Sequence, residues 1–79
     1  MLRPVYTKQF ERDAKRMKNR GKNLEKLKIL IRTLVTQEPL DDIHRDHKLI
    51  GNWKGRRECH VECDWLLIYA LESSRVVFE

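Results

Sequence analysis

Residues 56–71 read RRECHVECDWLLIYAL, and this stretch decides the fold class. Over residues 56–62 the side chains alternate, with Cys59 and Val61 on one side and His60 on the other. Alternation with a period of two is typical of a β-strand that has one buried face. The pattern therefore predicts a strand whose Cys59 side faces the core, where a small buried cysteine packs like an apolar residue.

The apolar run at residues 65–71 predicts the next strand, because it is nearly continuous and rich in aromatic and β-branched residues. A run of this kind is typical of a central strand covered on both faces. Cys63 and Asp64 form a turn before it, and residues 72–74 form a turn after it. Residues 75–79 then begin another strand, so the last three strands are expected to form an antiparallel meander.

The residues before this meander predict a short strand and a helical hairpin. Residues 2–6 form the strand, and Thr7 is an N-cap for a helix over residues 8–20 that Gly21 stops. Its apolar stripe is Phe10, Ala14 and Met17. Asn23 caps a second helix, which carries an apolar stripe and ends at Glu38–Pro39. The stripe is Leu24, Leu27, Leu30, Ile31, Leu34 and Val35.

Residues 40–54 show neither helical nor strand periodicity and are interpreted as a loop. Its apolar residues Leu49, Ile50 and Trp53 are expected to form a plug that packs against the core. The prediction is an α+β fold of order β-α-α-β-β-β, one domain over residues 1–79. Its antiparallel sheet carries the helical hairpin on one face.

Charge is unevenly distributed along the 79 residues, whose net charge is +5. Residues 1–38 hold eleven Lys and Arg against four Asp and Glu, whereas residues 39–79 hold six against eight. A basic half indicates a polyanionic partner such as nucleic acid, or an acidic protein segment. The alternative is that lysine and arginine only solvate two helices.

Several classes of protein are excluded by composition. No run approaches the ~18 apolar residues of a membrane span. The N-terminal residues lack the apolar core of a signal peptide, and two cysteines make no disulfide framework, so a cytoplasmic location is expected. The length and three glycines also leave no room for a dinucleotide-binding fold.

Candidate chemistry is concentrated in residues 46–65, which hold two histidines, several cations, two tryptophans and several carboxylates. Histidine exchanges protons near neutral pH, lysine and arginine hold phosphate oxygens, and tryptophan stacks on unpaired bases. These are the groups needed for RNA cleavage by its own 2′-hydroxyl, a route that needs no metal or other cofactor. The alternative is a polar loop beside a surface strand, with Trp53 and Trp65 in the core.

A zinc site at Cys59, His60 and Cys63 is rejected, because four strand residues at about 3.3 Å each separate the two thiols too widely. His44 lies in a charged loop and receives no role.

The motif from Asp46 to Tyr69 carries a family resemblance. It reads DHxLxGxWKGxRExHVExDWLLIY and resembles the RelE/ParE toxin superfamily, in particular its YafQ-like branch. The resemblance covers essentially the whole chain. It implies a fold like that of small microbial ribonucleases, and a type II toxin that cleaves messenger RNA on the ribosome until a cognate antitoxin neutralises it.

The resemblance also implies roles for individual residues. His47, His60 and Asp64 match the catalytic group of the family, with Asp64 or a histidine as base toward the 2′-hydroxyl. Trp65 helps to shape the RNA site, and Lys54 and Arg57 are expected to touch RNA phosphates because of their charge and position. No metal is implied.

One departure affects the expected activity. The family continues past Phe78–Glu79 with a segment that supplies an arginine and a histidine, so this chain is expected to lack the family's C-terminal catalytic segment and to be weak or inactive. Two alternatives stay open: a remnant that binds antitoxin or RNA without cutting, and a ParE-like gyrase poison. The expected partners are an antitoxin in a hetero-oligomer, the ribosome and messenger RNA, with no membrane.

Overall fold

Two helices and five strands make up the fold in the computed structural model, which describes residues 1–51 and 55–79. In chain order they are β1 (Arg3–Tyr6), α1 (Lys8–Asn19), α2 (Leu24–Val35), β2 (His47–Lys48), β3 (Arg57–Glu62), β4 (Trp65–Leu71) and β5 (Arg75–Phe78). A 3₁₀ turn at Asp42–His44 precedes β2. The α+β class and the helical hairpin are confirmed.

Both helix starts are confirmed by capping hydrogen bonds. The hydroxyl oxygen of Thr7 accepts from the N–H of Phe10 at 3.0 Å, and the amide oxygen of Asn23 accepts from the N–H of Glu25 at 3.0 Å. Gly21 has a φ of 82° between the helices, a conformation that glycine adopts without steric cost. Among the described residues, no helix combines the length and the apolar character needed to cross a membrane.

The predicted end of α2 at Glu38 was wrong. The helix stops at Val35 with Thr36 as its C-cap, because Gln37 adopts a left-handed φ of 61°. Such a residue ends a helix by turning the chain away from its axis. The proline at position 39 lies beyond this turn.

The strands lie in one sheet of order β1-β5-β4-β3-β2. The antiparallel meander of β3, β4 and β5 is confirmed. However, β1 pairs with β5 in parallel, so the sheet is mixed and the prediction of a wholly antiparallel sheet was wrong. The chain between them contains the helical hairpin and strands β2 to β4, and it brings β5 back beside β1 in the same direction.

The interpretation of residues 40–54 as a loop missed two elements. Strand β2 pairs antiparallel with β3, and the 3₁₀ turn is held by Asp41, whose carboxylate accepts the N–H of Ile43 at 3.0 Å. Two-residue strands carry no periodic signal, which is why the pattern did not show β2. The plug was wrong for Ile50, which is 87% exposed, while Leu49 is half-buried and Trp53 lies outside the described residues.

The core lies between the helices and one face of the sheet. Cys59 and Val61 of β3 are buried there as predicted. The buried cluster is Leu2, Phe10, Leu27, Leu30, Leu34, Cys59, Val61, Trp65, Leu67, Tyr69, Val76 and Phe78. The other face is open, since Leu66 of β4 is 48% exposed, so the prediction that β4 is covered on both faces was wrong.

Candidate active site

The ring of His47 on β2 is held through Nδ1, while its Nε2 faces Glu58 and forms an ion pair with it only when the ring is protonated. Its Nδ1 lies 2.7 Å from the carbonyl oxygen of Arg45, and its Nε2 lies 3.4 Å from Oε1 of Glu58. The carbonyl oxygen accepts only, so Nδ1 carries the hydrogen. Arg45 reaches this position with a left-handed φ of 47° at the end of the 3₁₀ turn. The ring is therefore oriented by its own loop and by β3.

His60 lies on the same open face of the sheet. It pairs in register with the exposed Leu66 of β4, and its ring is half-buried. Its backbone carbonyl accepts a hydrogen bond from Nδ1 of His44 at 2.8 Å. The strand edge at His60 is thus held by a side chain from the 3₁₀ turn.

The structure brings His47 and His60 to one face. His47 stands opposite Glu58, and His60 is two residues further along β3. Diagonal neighbours in an antiparallel pair lie roughly 7–8 Å apart, within reach of a single phosphodiester between the rings. Glu58 adds a carboxylate to this face, opposite His47 and two residues before His60.

Asp64 is held at the β3–β4 turn by a lysine from the helical hairpin. Nζ of Lys22 lies 3.0 Å from both of its carboxylate oxygens, and it also lies 3.0 Å from Oε1 of Glu62. The hydrogen bond from Lys22 lowers the pKa of Asp64, and those from Lys26 and Lys22 lower the pKa of Glu62. Asp64 therefore stays ionised at neutral pH.

A bulge explains where Asp64 lies. The β3–β4 register shifts between His60 and Glu62, which turns Glu62 toward the two lysines of the helical layer. A groove of about 580 Å³ opens beside the bulge, and neither His47 nor Asp64 lines it. It is lined by Lys26, Ile43, His44, Arg45, His60, Val61, Glu62 and Cys63. The structure thus groups His47 with His60 on the sheet and places Asp64 beside Lys22.

Of the three residues predicted to touch RNA, the structure describes two, and these two lie in different places. Trp65 is 4% exposed and belongs to the core, which confirms the alternative placement for this residue. Arg57 lies on the helical side of β3, opposite the buried Tyr69. Lys54 lies outside the described residues. Their contacts with RNA stay predictions.

Arg57 is part of a half-buried cluster with Asp46 and Tyr69. Its Nε and Nη2 donate to the two carboxylate oxygens of Asp46 at 3.2 and 3.0 Å, and the Tyr69 hydroxyl donates to the same carboxylate. Asp46 raises the pKa of Arg57, and burial together with Asp46 raises the pKa of Tyr69. This cluster fixes the residue that precedes His47, so Arg57 has a structural role.

Sequence reasoning missed two residues near the histidines. Glu58 lies on the same face of the predicted strand as His60. Its contact with His47, however, depends on the pairing of β2 with β3, and the sequence pattern did not show β2. His44 received no role, yet its ring contacts His60. The sequence did offer one signal: Asp41, three residues before His44, is a residue type that caps short turns. A turn at this point would have predicted that His44 has a fixed orientation.

The cysteines differ in exposure, and neither carries a metal site. Burial raises the pKa of the Cys59 thiol to about 12, whereas Cys63 is exposed in the turn. Within residues 1–51 and 55–79, no group of three or more His, Cys, Asp or Glu side chains is placed to hold a metal ion.

Comparison with known proteins identifies relatives for this geometry. The model of the family described as "Bacterial toxin of type II toxin-antitoxin system, YafQ" matches residues 2–79. The mRNA interferase toxin YafQ of Escherichia coli K12 is 43% identical over 75 residues, which are 94% of this chain and 82% of that protein.

Solved structures agree with the sequence matches. The crystal structure of YafQ from Escherichia coli BL21(DE3) superposes with a TM-score of 0.93 at 40% identity, covering 100% of this chain and 89% of that one. A crystal structure of the Escherichia coli DinJ-YafQ complex gives a TM-score of 0.91 with the same identity and coverage.

The fold has a helical hairpin on one face of a small sheet and histidines on the other. Together with these matches, it defines the chain as a bacterial toxin of a type II toxin–antitoxin system. Within that class, the chain belongs to the YafQ family. The family resemblance and the toxin function predicted from the motif are both confirmed.

Proposed function

We propose that this chain is an mRNA interferase, an endoribonuclease that cuts messenger RNA on the ribosome by metal-independent acid–base chemistry. One observation carries the proposal: His47, Glu58 and His60 share the open face of the sheet, and Glu58 stands opposite His47. The relative in Escherichia coli is named an mRNA interferase toxin. A ribonuclease of this type needs two proton-transfer groups on either side of a phosphate, and this face offers them.

The cleavage step follows from the positions of these groups. His60 takes the proton of the 2′-hydroxyl, the 2′ oxygen forms a bond to phosphorus, and the bond from phosphorus to the 5′ oxygen breaks. The 5′ oxygen gains a proton, leaving a 2′,3′-cyclic phosphate and a free 5′-hydroxyl. His47, oriented by Arg45 and Glu58, is positioned against the phosphate. Asp64 is the ionised carboxylate of the group.

The partners follow from charge and from the family. The basic residues of α1 and α2 would contact ribosomal RNA, and such binding weakens steeply with added salt. Because the Escherichia coli toxin crystallises with DinJ, the partner that neutralises this chain is a cognate antitoxin in a hetero-oligomer. A protein that acts on ribosomes works in the cytoplasm.

The test is cleavage of messenger RNA on purified ribosomes, read by primer extension. Wild-type protein is compared with His47→Ala, His60→Ala and Asp64→Asn, and with the control Ser73→Ala in the exposed β4–β5 turn. Removal of one acid–base group is expected to slow cleavage about 10²–10⁴-fold. The control should cleave like the wild type. The same measurement gives the activity of the 79-residue chain itself.

Two outcomes would replace the proposal. If no cleavage occurs while the cognate antitoxin still binds, the chain is a binding protein without nuclease activity. If the three variants cleave as fast as the wild type, the open face is not the active site. Gyrase-dependent DNA breaks in place of RNA cleavage would indicate the ParE-like alternative.

A further inference from the structure

His44 stands where a strand partner of β3 would otherwise lie. Strand β2 pairs with β3 only at Arg57 and Glu58, and beyond them the 3₁₀ turn contacts the β3 edge. The Nδ1 of His44 fills this gap by donating to the carbonyl of His60 at 2.8 Å. Since a carbonyl oxygen only accepts, the hydrogen of the neutral ring is on Nδ1 and its second nitrogen, Nε2, is the proton-exchanging one.

His44 and His60 line the same groove of about 580 Å³. The ring of His44 is half-buried, and its backbone is fixed by Asp41, whose carbonyl accepts the His44 N–H at 3.0 Å. Across the described residues, the bond to His60 is the one side-chain hydrogen bond that His44 makes. Its Nε2 therefore remains available to a molecule in the groove.

The charges around the groove suit a phosphate. Glu62 is the groove's carboxylate, and it is bound by Lys22 and by Lys26, at 3.0 and 2.9 Å. Arg45 adds a cation to the lining. Besides Glu62, Lys26 and Arg45, the titratable residues that line the groove with His44 are His60 and Cys63.

We propose that His44 is a second acid–base residue of the cleavage reaction and that, with the ring protonated on both nitrogens, its Nε2 gives its proton to the departing 5′ oxygen. This inference rests on the proposed nuclease function and adds a residue to it. The proton that His60 takes from the 2′-hydroxyl and the one that His44 gives to the 5′ oxygen balance the reaction. Solvent restores both rings afterwards.

A purely structural role for His44 is the competing explanation, and one substitution separates the two. In His44→Asn, the amide nitrogen takes the place of Nδ1 and still donates to the His60 carbonyl, but nothing replaces Nε2. In His44→Ala, both are lost. A structural role predicts that His44→Asn cleaves like the wild type, whereas an acid role predicts that both variants are slow.

The experiment is single-turnover cleavage of ribosome-bound messenger RNA across a range of pH, with melting temperatures measured in parallel. We expect His44→Asn to melt like the wild type and to cleave about 100-fold or more slowly. The fall of the cleavage rate at alkaline pH, expected for the wild type, should be absent in His44→Asn. Added imidazole should restore part of the cleavage rate of His44→Ala. Ser73→Ala, in the exposed β4–β5 turn outside the groove, should leave the pH profile unchanged.

The outcomes separate the inference from the function on which it rests. If the wild type cleaves and His44→Asn cleaves within about threefold of it, His44 is a structural residue and the nuclease function stands. The acid role is also wrong if imidazole fails to rescue His44→Ala and if the cleavage rate of His44→Asn still falls at alkaline pH. If the wild type does not cleave at all, the proposed function fails and the inference falls with it.

Discussion

The ammonium group of Lys22 lies 3.0 Å from both carboxylate oxygens of Asp64, a residue 42 positions later in the chain. This contact joins the connection between the two helices to the turn between β3 and β4. The same lysine also binds Glu62, so one side chain links both carboxylates that follow the bulge. The position of a proposed catalytic carboxylate therefore depends on the helical layer.

Replacing Lys22 by methionine should raise the pKa of Asp64 toward the ordinary aspartate range. Lys22 lowers that pKa through its hydrogen bond, and methionine keeps the apolar stem without the charge. The measurement is an NMR titration of the side-chain carboxyl carbons. The matched control is Lys28→Met, because Lys28 pairs with Glu25 on its own helix.

The same change alters how stability depends on pH. The folded-state pKa values of Asp64 and Glu62 lie below their unfolded values, so their contribution is present above about pH 4 and is lost as pH falls through the folded values. Lys22→Met should therefore lose less stability on acidification than the wild type. Acid unfolding curves that coincide for the two proteins would contradict this.

Leu66 and Leu67 are neighbours on β4 that test which face of the sheet is open. Leu67 is 3% exposed and Leu66 is 48% exposed. Leu67→Ala should lower the free energy of unfolding by about 2–5 kcal/mol through a cavity in the core. Leu66→Ala should change it by about 0.5 kcal/mol or less.

Urea unfolding followed by circular dichroism measures both leucine variants. Equal losses for the two would mean that β4 is covered on both sides, as the continuous apolar run suggested. Loss of cleavage in Leu66→Ala without loss of stability would place RNA on the open face beside His60.

The two cysteines should react very differently with a thiol reagent. The pKa of Cys59 is raised to about 12 by burial, and the thiolate is the reactive form. Cys63 is exposed. Iodoacetamide at about pH 8 should therefore add once, at Cys63, as read by mass spectrometry of the peptides, and a second adduct should form only in denaturant. Modification of Cys59 in the native protein would show that the core opens there.

Removing the carboxylate of Asp46 should destabilise the fold. Asp46→Ala leaves the half-buried guanidinium of Arg57 and the hydroxyl of Tyr69 without their acceptor. The expected loss is about 1–3 kcal/mol, measured by thermal unfolding. The control is Asp42→Ala, an exposed aspartate of the 3₁₀ turn. Similar melting temperatures for both variants would show that the cluster adds no stability.

The sequence predicted those parts of the fold that leave a local pattern. Thr7 and Asn23 were identified as caps because their side chains satisfy free backbone groups at a helix start. The meander was visible in short turns and alternating residues. The parallel pairing of β1 with β5 was not visible, because it joins segments some seventy residues apart and depends on where the hairpin packs.

The site was predicted in its residue types and only partly in its geometry. His47 and His60 were identified from a motif, but the contact between His47 and Glu58 requires β2, which is two residues long. His44 was given no role because a polar loop has no periodic pattern from which the direction of a side chain could be predicted. Its contact with His60 depends on the 3₁₀ turn and on a left-handed Arg45.

The parallel contact between β1 and β5 has a consequence for the timing of folding. Residues 3–6 emerge early in synthesis but find their partner strand only when residues 75–78 have been made. Pairing across so long a stretch of chain is slow, because the closure entropy is lost before the contact forms. A nascent chain of this topology therefore cannot complete its sheet until β5 has left the ribosome, so the edge of β5 and the strand β1 are the last parts of the toxin to be joined.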